Sequence, residues 1–286
     1  MIDVGTRLVG LLGYPLKQSF SPAMQNRAFQ AAGLNYYYFP IEADPTSLKD
    51  VLNGIRRMNF AGCNVTKPNK IEVIPYLDRI DPAALAIGAV NTVQVVEGKL
   101  IGYNTDGLGF AAFMEQDMHV DIPSTRFFVL GCGGAGRAIA TVLADRGANG
   151  LVVSDMSAFA AESLVTAIRD HSQRHVHQVS PGSVEMRHAL EQADVVINAT
   201  AVGMFPDEGE TPLPATWLDK QHLVCDIIYN PLKTRLLREA EALGCRTANG
   251  LGMVIYQGAA AFSIWTGLEA PVAAMRAAIL ELVRST

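Results

Sequence analysis

The stretch Phe127-Phe128-Val129-Leu130-Gly131-Cys132-Gly133-Gly134-Ala135-Gly136-Arg137 decides the fold. Its first four residues read as a buried strand, its last open a helix, and Gly131, Gly133 and Gly136 fit G-x-G-x-x-G between them. In that context the first glycine permits a tight turn. The second lets the backbone approach a pyrophosphate, and the third lets the helix pack closely on the strand, while the helix N-terminus contributes partial positive charge. The next strand, Leu151 to Ser154, ends at Asp155, nineteen residues after Gly136. That is the spacing of an acid that binds the adenosine ribose. A carboxylate there accepts from both ribose hydroxyls and repels a 2′-phosphate. Met156 and Ser157 follow it and offer no cation, although Arg137 lies in the loop-helix itself. The pattern predicts a nicotinamide dinucleotide, NAD in preference to NADP. The plainer alternatives are a glycine-rich turn without a ligand and, for Asp155, a helix N-cap.

Working outward, further strands are expected at Val195 to Asn198 and Leu223 to Ile228, separated by helices. Such units imply a parallel sheet with right-handed crossovers. After Gly250 the pattern is helical, through Ala259 to Trp265 and Pro271 to Val283. Towards the N-terminus, Leu8 to Leu12, Tyr36 to Ile41 and Phe60 to Val65 read as strands. Ser21-Pro22 reads as a helix start with a hydroxyl cap and proline in the first position. Gly33 closes that helix and Thr46 opens another. Val93 to Tyr103, with Glu97-Gly98 at its centre, predicts a hairpin. The pattern changes near Asp106, where a helix over Gly107 to Met114 begins. The class is therefore α/β: an N-terminal α/β domain and a Rossmann-like, doubly wound parallel-sheet domain.

The 286 residues provide for one large domain or two ordinary ones. A formal net charge of −5 argues against a nucleic-acid binder and against a polybasic membrane anchor. Cys63, Cys132, Cys225 and Cys245 form no C-x-x-C pair and read as free thiols in a reducing compartment. The N-terminus lacks a signal-peptide pattern and no apolar run reaches the length of a span, so a soluble cytoplasmic protein is expected. Trp265 and the apolar C-terminal helices suit a core, or the interface of a homodimer as against a monomer.

Oxidising an alcohol by hydride transfer needs a group that exchanges the hydroxyl proton. A metal ligand set is not evident. His171, His175 and His177 cluster loosely, without an accompanying acid or cysteine pattern, and no metal is expected. Polar clusters occur instead before the cofactor loop, in Gly62-Cys63-Asn64-Val65-Thr66-Lys67-Pro68-Asn69-Lys70, Gly88-Ala89-Val90-Asn91-Thr92 and Asn104-Thr105-Asp106-Gly107. A lysine held by an aspartate makes a proton-transfer pair. Taken singly, Lys70 reads as a surface lysine and Asp106 as a helix cap.

These three clusters resemble the G-x-N-V-T-x-P-x-K, G-A-V-N-T and N-T-D-G elements of the shikimate/quinate dehydrogenase family, in the same order. So do Ser19-Phe20-Ser21-Pro22-Ala23-Met24, Asn198-Ala199-Thr200 with Gly203-Met204, Tyr229-Asn230-Pro231, and Gly250-Leu251-Gly252-Met253 leading to Gln257. The resemblance spans residues 19 to 257. It implies a substrate-binding domain at 1–106 completed by helices at 254–286, a nucleotide domain at 107–253, and an active site in the cleft between them. It implies Lys70 and Asp106 as the catalytic pair. Ser19 and Ser21 would hold the substrate carboxylate; Thr66, Asn91, Asp106 and Gln257 the ring hydroxyls, with Tyr229 nearby. With the loop residues Gly131, Cys132, Gly133, Gly134, Ala135, Gly136 and with Asp155, the cofactor side would comprise Asn198, Ala199, Thr200, Met204, Ile227, Gly250 and Met253. The implied reaction is reversible oxidation of shikimate to 3-dehydroshikimate, in the chorismate route to aromatic amino acids, with quinate or an amino analogue as the alternative substrate. Plainer readings remain beside these roles: Ser21 as helix cap, Gln257 as surface polarity, Tyr229 as a structural hydroxyl.

The chain departs from the family pattern at Gln18 and Gln25, where histidine is frequent, and at Asn69, where an aromatic is common. Ser154-Asp155-Met156-Ser157 replaces the Asn-Arg-Thr type associated with NADP. These departures are those of an NAD-using paralogue. A different class of function, a non-catalytic dinucleotide sensor on the same fold, is opposed by the presence of both Lys70 and Asp106.

Overall fold

The structure, a computed structural model, describes residues 2–16 and 19–285. Gln18 lies outside the described residues. In chain order the elements are β1 (Arg7–Gly13), α1 (Ser21–Ala31), β2 (Tyr36–Glu42), α2 (Leu48–Arg57), β3 (Phe60–Val65), α3 (Asn69–Glu72), β4 (Arg79–Ile80), α4 (Pro82–Ile87), β5 (Thr92–Val96), β6 (Lys99–Tyr103), α5 (Asp106–Gln116) and β7 (Arg126–Leu130). They continue as α6 (Gly134–Asp145), β8 (Gly150–Ser154), α7 (Ala158–Ser172), β9 (His177–Gln178), α8 (Val184–Gln192), β10 (Val195–Asn198), β11 (Leu223–Asp226), α9 (Arg235–Ala242), β12 (Arg246–Ala248), α10 (Leu251–Thr266) and α11 (Val272–Ser285). The chain folds into two compact units. One comprises Met1–Gly109 with Ile255–Thr286, the other Phe110–Val254.

The first unit holds a mixed sheet in the order β2-β1-β3-β5-β6-β4. β1 runs parallel to both β2 and β3, whereas β5 is antiparallel to β3 and β6. The β5–β6 turn is made by Glu97 at φ 51° and Gly98 at φ 73°, the paired positive values that a two-residue hairpin demands. Every residue of β3 is buried. Its Gly62 is required by packing: a Cβ there would stand 2.0 Å from the Val93 carbonyl oxygen and 2.5 Å from Trp265 Nε1. Trp265 donates to that same carbonyl at 3.0 Å, which fixes α10 across the sheet. The face opposite packs Leu12, Leu48, Leu52, Ile55, Phe60 and Val93.

The second unit holds a parallel sheet in the order β12-β11-β10-β7-β8-β9. The strand order reverses beside β7, the topological switch point at which open α/β sheets bind ligands outside their carboxyl ends. Phe128, Leu130, Val196 and Val224 of its strands are buried against Leu190, Leu236 and Leu237 of α8 and α9.

Several boundaries differ from the sequence expectation. Ser21 is not a capping residue; it is the first residue of α1, after Phe20, which caps with no side-chain bond, and Pro22 falls second. The reason is that Ser19 Oγ takes the Ser21 N–H, at 3.2 Å. Thr46 does not open α2, because Thr46 and Ser47 are both closed onto the Asp44 carboxylate and the helix starts at Leu48. The strand expected to reach Ile228 stops at Asp226, whose carboxylate draws in the Ile228 N–H at 3.0 Å. Among the described residues no helix is long and apolar enough to cross a membrane.

Candidate active site and cofactor loop

In the first unit three strand or helix ends converge. Lys70 follows the turn after β3, Asn91 precedes β5, and Asp106 opens α5. Lys70 Nζ lies 2.7 Å from Asp106 Oδ2. The other carboxylate oxygen of Asp106 accepts from Asn91 Nδ2 at 2.8 Å. Asn91 is itself fixed, since its Oδ1 accepts from the Thr105 N–H at 2.8 Å and from Thr92 Oγ1 at 2.9 Å. Backbone bonds set the spacing: Val90 N–H donates to the Lys70 carbonyl at 2.8 Å, and Asn91 N–H to that of Tyr103 at 3.0 Å. Asp106 is not a helix cap, because both of its oxygens face this cluster. Its side chain is 10 % exposed and that of Lys70 is 31 %, so the pair is held from within and open at the lysine end.

The other candidates of this unit sit around the pair. Thr66 is half-buried, and its carbonyl accepts from the Asn69 N–H at 2.9 Å, one turn from Lys70. Gln257 lies on α10 with its backbone pressed against Gly109, where a Cβ would fall 2.3 Å from Gln257 N; Gly109 is one helical turn after Asp106. Ser19 is exposed and Ser21 half-buried. Two buried amides flank the cluster. Asn69 Nδ2 donates to the Ala43 carbonyl at 2.7 Å and Gln25 Nε2 to that of Gly258 at 2.9 Å. The oxygen of each has no partner among the described residues. Asn69 thereby ties the start of α3 to Ala43, and Gln25 ties α1 to α10 one residue after Gln257.

The sequence reading gave no role to Asn64, Tyr38, Thr92 or Thr105, yet they form the scaffold of the cluster. Tyr38 Oη donates to Asn64 Oδ1 at 2.8 Å, and Asn64 Nδ2 donates to Thr92 Oγ1 at 3.0 Å. Burial pushes the Tyr38 phenol well above its ordinary value, so it remains a neutral donor. The available signal was the recurrence of Asn-Thr in apolar settings, at 91–92 and 104–105.

In the second unit the glycine loop has the geometry a dinucleotide needs. Gly131 adopts φ 94°. A Cβ on Gly136 would stand 1.9 Å from the Gly131 carbonyl oxygen, whereas Gly133 and Gly134 face open space. The start of α6 thus presents an open cradle, with the Asp155 carboxylate held against the loop beside it. Asp155 Oδ2 accepts from the Cys132 N–H at 2.6 Å and its Oδ1 from the Ser157 N–H at 2.7 Å. Asp155 is not the cap of α7; Ser157 is, through the Ala160 N–H. Ala135 follows in the first turn of α6, and Arg137 reaches Ser163 Oγ at 3.4 Å. Burial, with the Asp155 carboxylate nearby, pushes the Cys132 thiol up to about 12 and so disfavours its thiolate.

The remaining cofactor-side candidates form a continuous rim. Ala199 N–H donates to the Leu130 carbonyl at 2.7 Å, Ile227 N–H to that of Asn198 at 3.0 Å, and Gly250 N–H to that of Ile228 at 3.1 Å. The ends of β7, β10, β11 and the start of α10 are thereby tied together. Asn198 Oδ1 receives Thr200 Oγ1 at 2.7 Å. Gly250 admits no side chain, since a Cβ would meet the Ile227 carbonyl oxygen at 2.0 Å. Met253 is buried, while Met204 and Tyr229 are 43 % and 36 % exposed on loops joined by the Phe205 N–H to Asn230 carbonyl bond, 3.3 Å. His171 pairs with Asp145 at 3.3 Å, and among the described residues no group of three or more His, Cys, Asp or Glu is placed to hold a metal ion. The four cysteines are buried and unpaired.

Residues 11–93 match a shikimate dehydrogenase substrate binding domain, and residues 250–280 a shikimate 5′-dehydrogenase C-terminal domain. The chain is 41 % identical over 99 % of its length to a shikimate dehydrogenase (NADP(+)) of Methanopyrus kandleri, covering 98 % of that protein. The chain belongs to the shikimate dehydrogenase family. A solved shikimate 5-dehydrogenase of Listeria monocytogenes, in complex with shikimate and NAD, is 40 % identical with a TM-score of 0.92, over 97 % of this chain and 98 % of that one. A quinate dehydrogenase of Corynebacterium glutamicum, in complex with NAD, is 35 % identical with a TM-score of 0.88, over 96 % and 99 %. Among shikimate dehydrogenase relatives both dinucleotides therefore occur, and so does a quinate enzyme of similar fold.

Proposed function

We propose that this chain catalyses the reversible oxidation of shikimate at its C3 hydroxyl to 3-dehydroshikimate, with NAD favoured over NADP. The observation that carries this reading is the 2.7 Å contact of Lys70 Nζ with Asp106 Oδ2, braced by Asn91. In this reading the first unit binds the acid and the second the dinucleotide. The bound nicotinamide supplies the hydride acceptor. Lys70 Nζ, as the neutral amine, stands at the substrate C3 oxygen and takes up its proton during oxidation; the resulting ammonium, held by Asp106 Oδ2, gives the proton up to solvent at its exposed end. In the reverse direction the ammonium returns the proton to the developing alkoxide. Asn91 holds the Asp106 carboxylate in register, Thr66 and Gln257 orient the ring hydroxyls with Tyr229 nearby, and Ser19 and Ser21 take the carboxylate. Neutral donors suit a carboxylate that must be oriented without a bidentate arginine.

NAD preference is supported by Asp155 at the end of β8 and by the absence of a cation at Met156 and Ser157. The naming of the Methanopyrus relative for NADP(+) stands against it, and initial rates decide. NAD and NADP are compared side by side with shikimate and with quinate. Turnover with NAD and shikimate is expected. Turnover only with NADP would overturn the Asp155 argument, and turnover only with quinate would move the substrate assignment to the acid of the Corynebacterium enzyme. Dinucleotide binding without turnover of either acid would favour the sensor.

A further inference from the structure

Gln25 on α1 is 0 % exposed, and the fold uses only half of its amide. Nε2 donates to the Gly258 carbonyl of α10 at 2.9 Å, whereas Oε1 has no partner among the described residues. As a support for the fold this is a poor arrangement. An unmet buried acceptor costs at least as much as one ordinary hydrogen bond contributes. Gly258 lies inside α10, so its carbonyl is already served by the intrahelical N–H four residues on, and the bond from Gln25 rescues no orphan group. What the amide adds over an apolar side chain is direction.

That direction is applied at the level of Gln257. Gln257 and Gly258 are consecutive on α10 and touch different helices. A Cβ on Gly109 of α5 would lie 2.3 Å from Gln257 N, and a Cβ on Gly258 would lie 2.2 Å from Met24 Cε of α1. α10 is thus wedged here between α5, which opens at Asp106, and α1, which opens at Ser21. Such apolar contacts fix how close the helices stand but are non-directional, and they leave α10 free to turn about its axis. A hydrogen bond has a preferred line, and the one from Gln25 fixes that turn. The far end of α10 is pinned separately, by Trp265 Nε1 on the Val93 carbonyl at 3.0 Å, two helical turns on. We propose that Gln25 is a positioning residue for substrate binding: it fixes the rotation of α10 at Gly258 and so sets Gln257 against the ring hydroxyls of the acid. The inference rests on the assignment of Gln257 to those hydroxyls made above. Gln25 has no exposed surface and acts only through Gln257.

The test replaces Gln25 by methionine, an unbranched apolar side chain of similar length. Shikimate kinetics, dinucleotide affinity and melting temperature are measured for wild type, Gln25→Met, Gln257→Ala and the double variant. In Gln25→Met the KM for shikimate is expected to rise about three- to tenfold, the worth of one hydrogen bond to the substrate. kcat should stay within about twofold of wild type, as for a loss of binding shared by ground and transition states. Dinucleotide affinity should not change. The melting temperature should equal or exceed that of wild type, because the unmet Oε1 leaves with the amide and Trp265 still holds α10. Weaker substrate binding in a protein no less stable is the mark of positioning. An unchanged KM overturns the proposal, and so does a variant that melts below wild type or does not fold, since Gln25 would then support the fold. Gln257→Ala should raise the KM by itself, and in its background Gln25→Met should raise it no further, because the path through Gln257 is gone. A second rise of the same size there refutes that path. A wild type inactive on shikimate, or a KM unmoved in Gln257→Ala, overturns the functional reading together with this inference. A KM raised in Gln257→Ala and unmoved in Gln25→Met overturns this inference alone.

Discussion

The backbone N–H of Cys132 and the carboxylate of Asp155 are joined at 2.6 Å, so the acid at the end of β8 is built into the glycine loop. Its second oxygen is held by Ser157 N–H at 2.7 Å. The charge therefore stands at a fixed place beside the cradle at the start of α6, with Met156 89 % exposed next to it. A ribose that donates two hydroxyls gains charge-assisted bonds, and a 2′-phosphate meets repulsion. Asp155→Ser is expected to lower kcat/KM with NAD about ten- to a hundredfold, the value of hydrogen bonds to a charged group. Adding Met156→Arg should raise kcat/KM with NADP and reverse the preference. Initial rates with both dinucleotides check this, and a double variant that still prefers NAD would show that the choice is made elsewhere.

Lys70 exchanges the substrate proton in the proposed reaction. Lys70→Ala should lower kcat by about 10²–10⁴-fold, the range of general acid–base catalysis. The lysine side chain is partly exposed and contributes little burial, so the fold should survive, as judged by circular dichroism and dinucleotide affinity. Near-normal turnover in a folded variant would remove Lys70 from the chemistry.

Much of this arrangement was legible in the sequence, for physical reasons that differ by residue. The glycine loop was legible because its backbone requirements select residue types: Gly131 needs a positive φ, and Gly136 faces a carbonyl at a distance that excludes a Cβ. The hairpin at Glu97-Gly98 follows from the same rule. Ser21 was read as a cap because its side chain and position suit one. Tyr38 was hidden because it lies on a strand whose three consecutive tyrosines at 36–38 have no local feature that singles out the buried one. Asn64 was hidden likewise, since its partners Asn91 and Thr92 are 27 and 28 residues away. The Lys70–Asp106 pair is separated by 36 residues, and neither residue alone outweighs its plainer reading. The family resemblance, not periodicity, joined them in the sequence analysis.

Gly136 tests the close approach of helix to loop. A Cβ there would lie 1.9 Å from the Gly131 carbonyl oxygen, a backbone atom that cannot swing aside. Gly136→Ala must therefore displace either the loop or the start of α6. The expected result is at least about a tenfold weaker affinity for dinucleotide by titration calorimetry, equivalent to about 1.4 kcal/mol. Gly134→Ala is the control, because a Cβ at 134 meets no atom within 4 Å of the protein itself. Its thermal stability without ligand should match wild type. Equal apo-state stability losses in the two variants would contradict the packing argument.

Asp226 links the pH dependence of stability to burial. It is 1 % exposed and accepts from Asn198 Nδ2 at 3.1 Å, Ile228 N–H at 3.0 Å and Thr234 Oγ1 at 2.7 Å. Burial outweighs these bonds and raises its carboxyl above the ordinary value of 3.8. A raised acid favours the protonated form in the folded state. Its contribution to stability is complete below the unfolded pKa and is lost as pH climbs through the folded one. Asp226→Asn has the same shape and no charge. Its oxygen can accept from Asn198 and Ile228, and its amide can donate to Thr234. Relative to wild type, the melting temperature of Asp226→Asn should therefore rise as the pH climbs above the ordinary carboxyl value of 3.8. Asp226→Ala, which leaves three buried donors without an acceptor, should instead lose about 2–4 kcal/mol at neutral pH. A difference between Asp226→Asn and wild type that is constant across the range, or that falls with pH, would mean that the three donors hold Asp226 ionised in the fold and that its burial costs nothing.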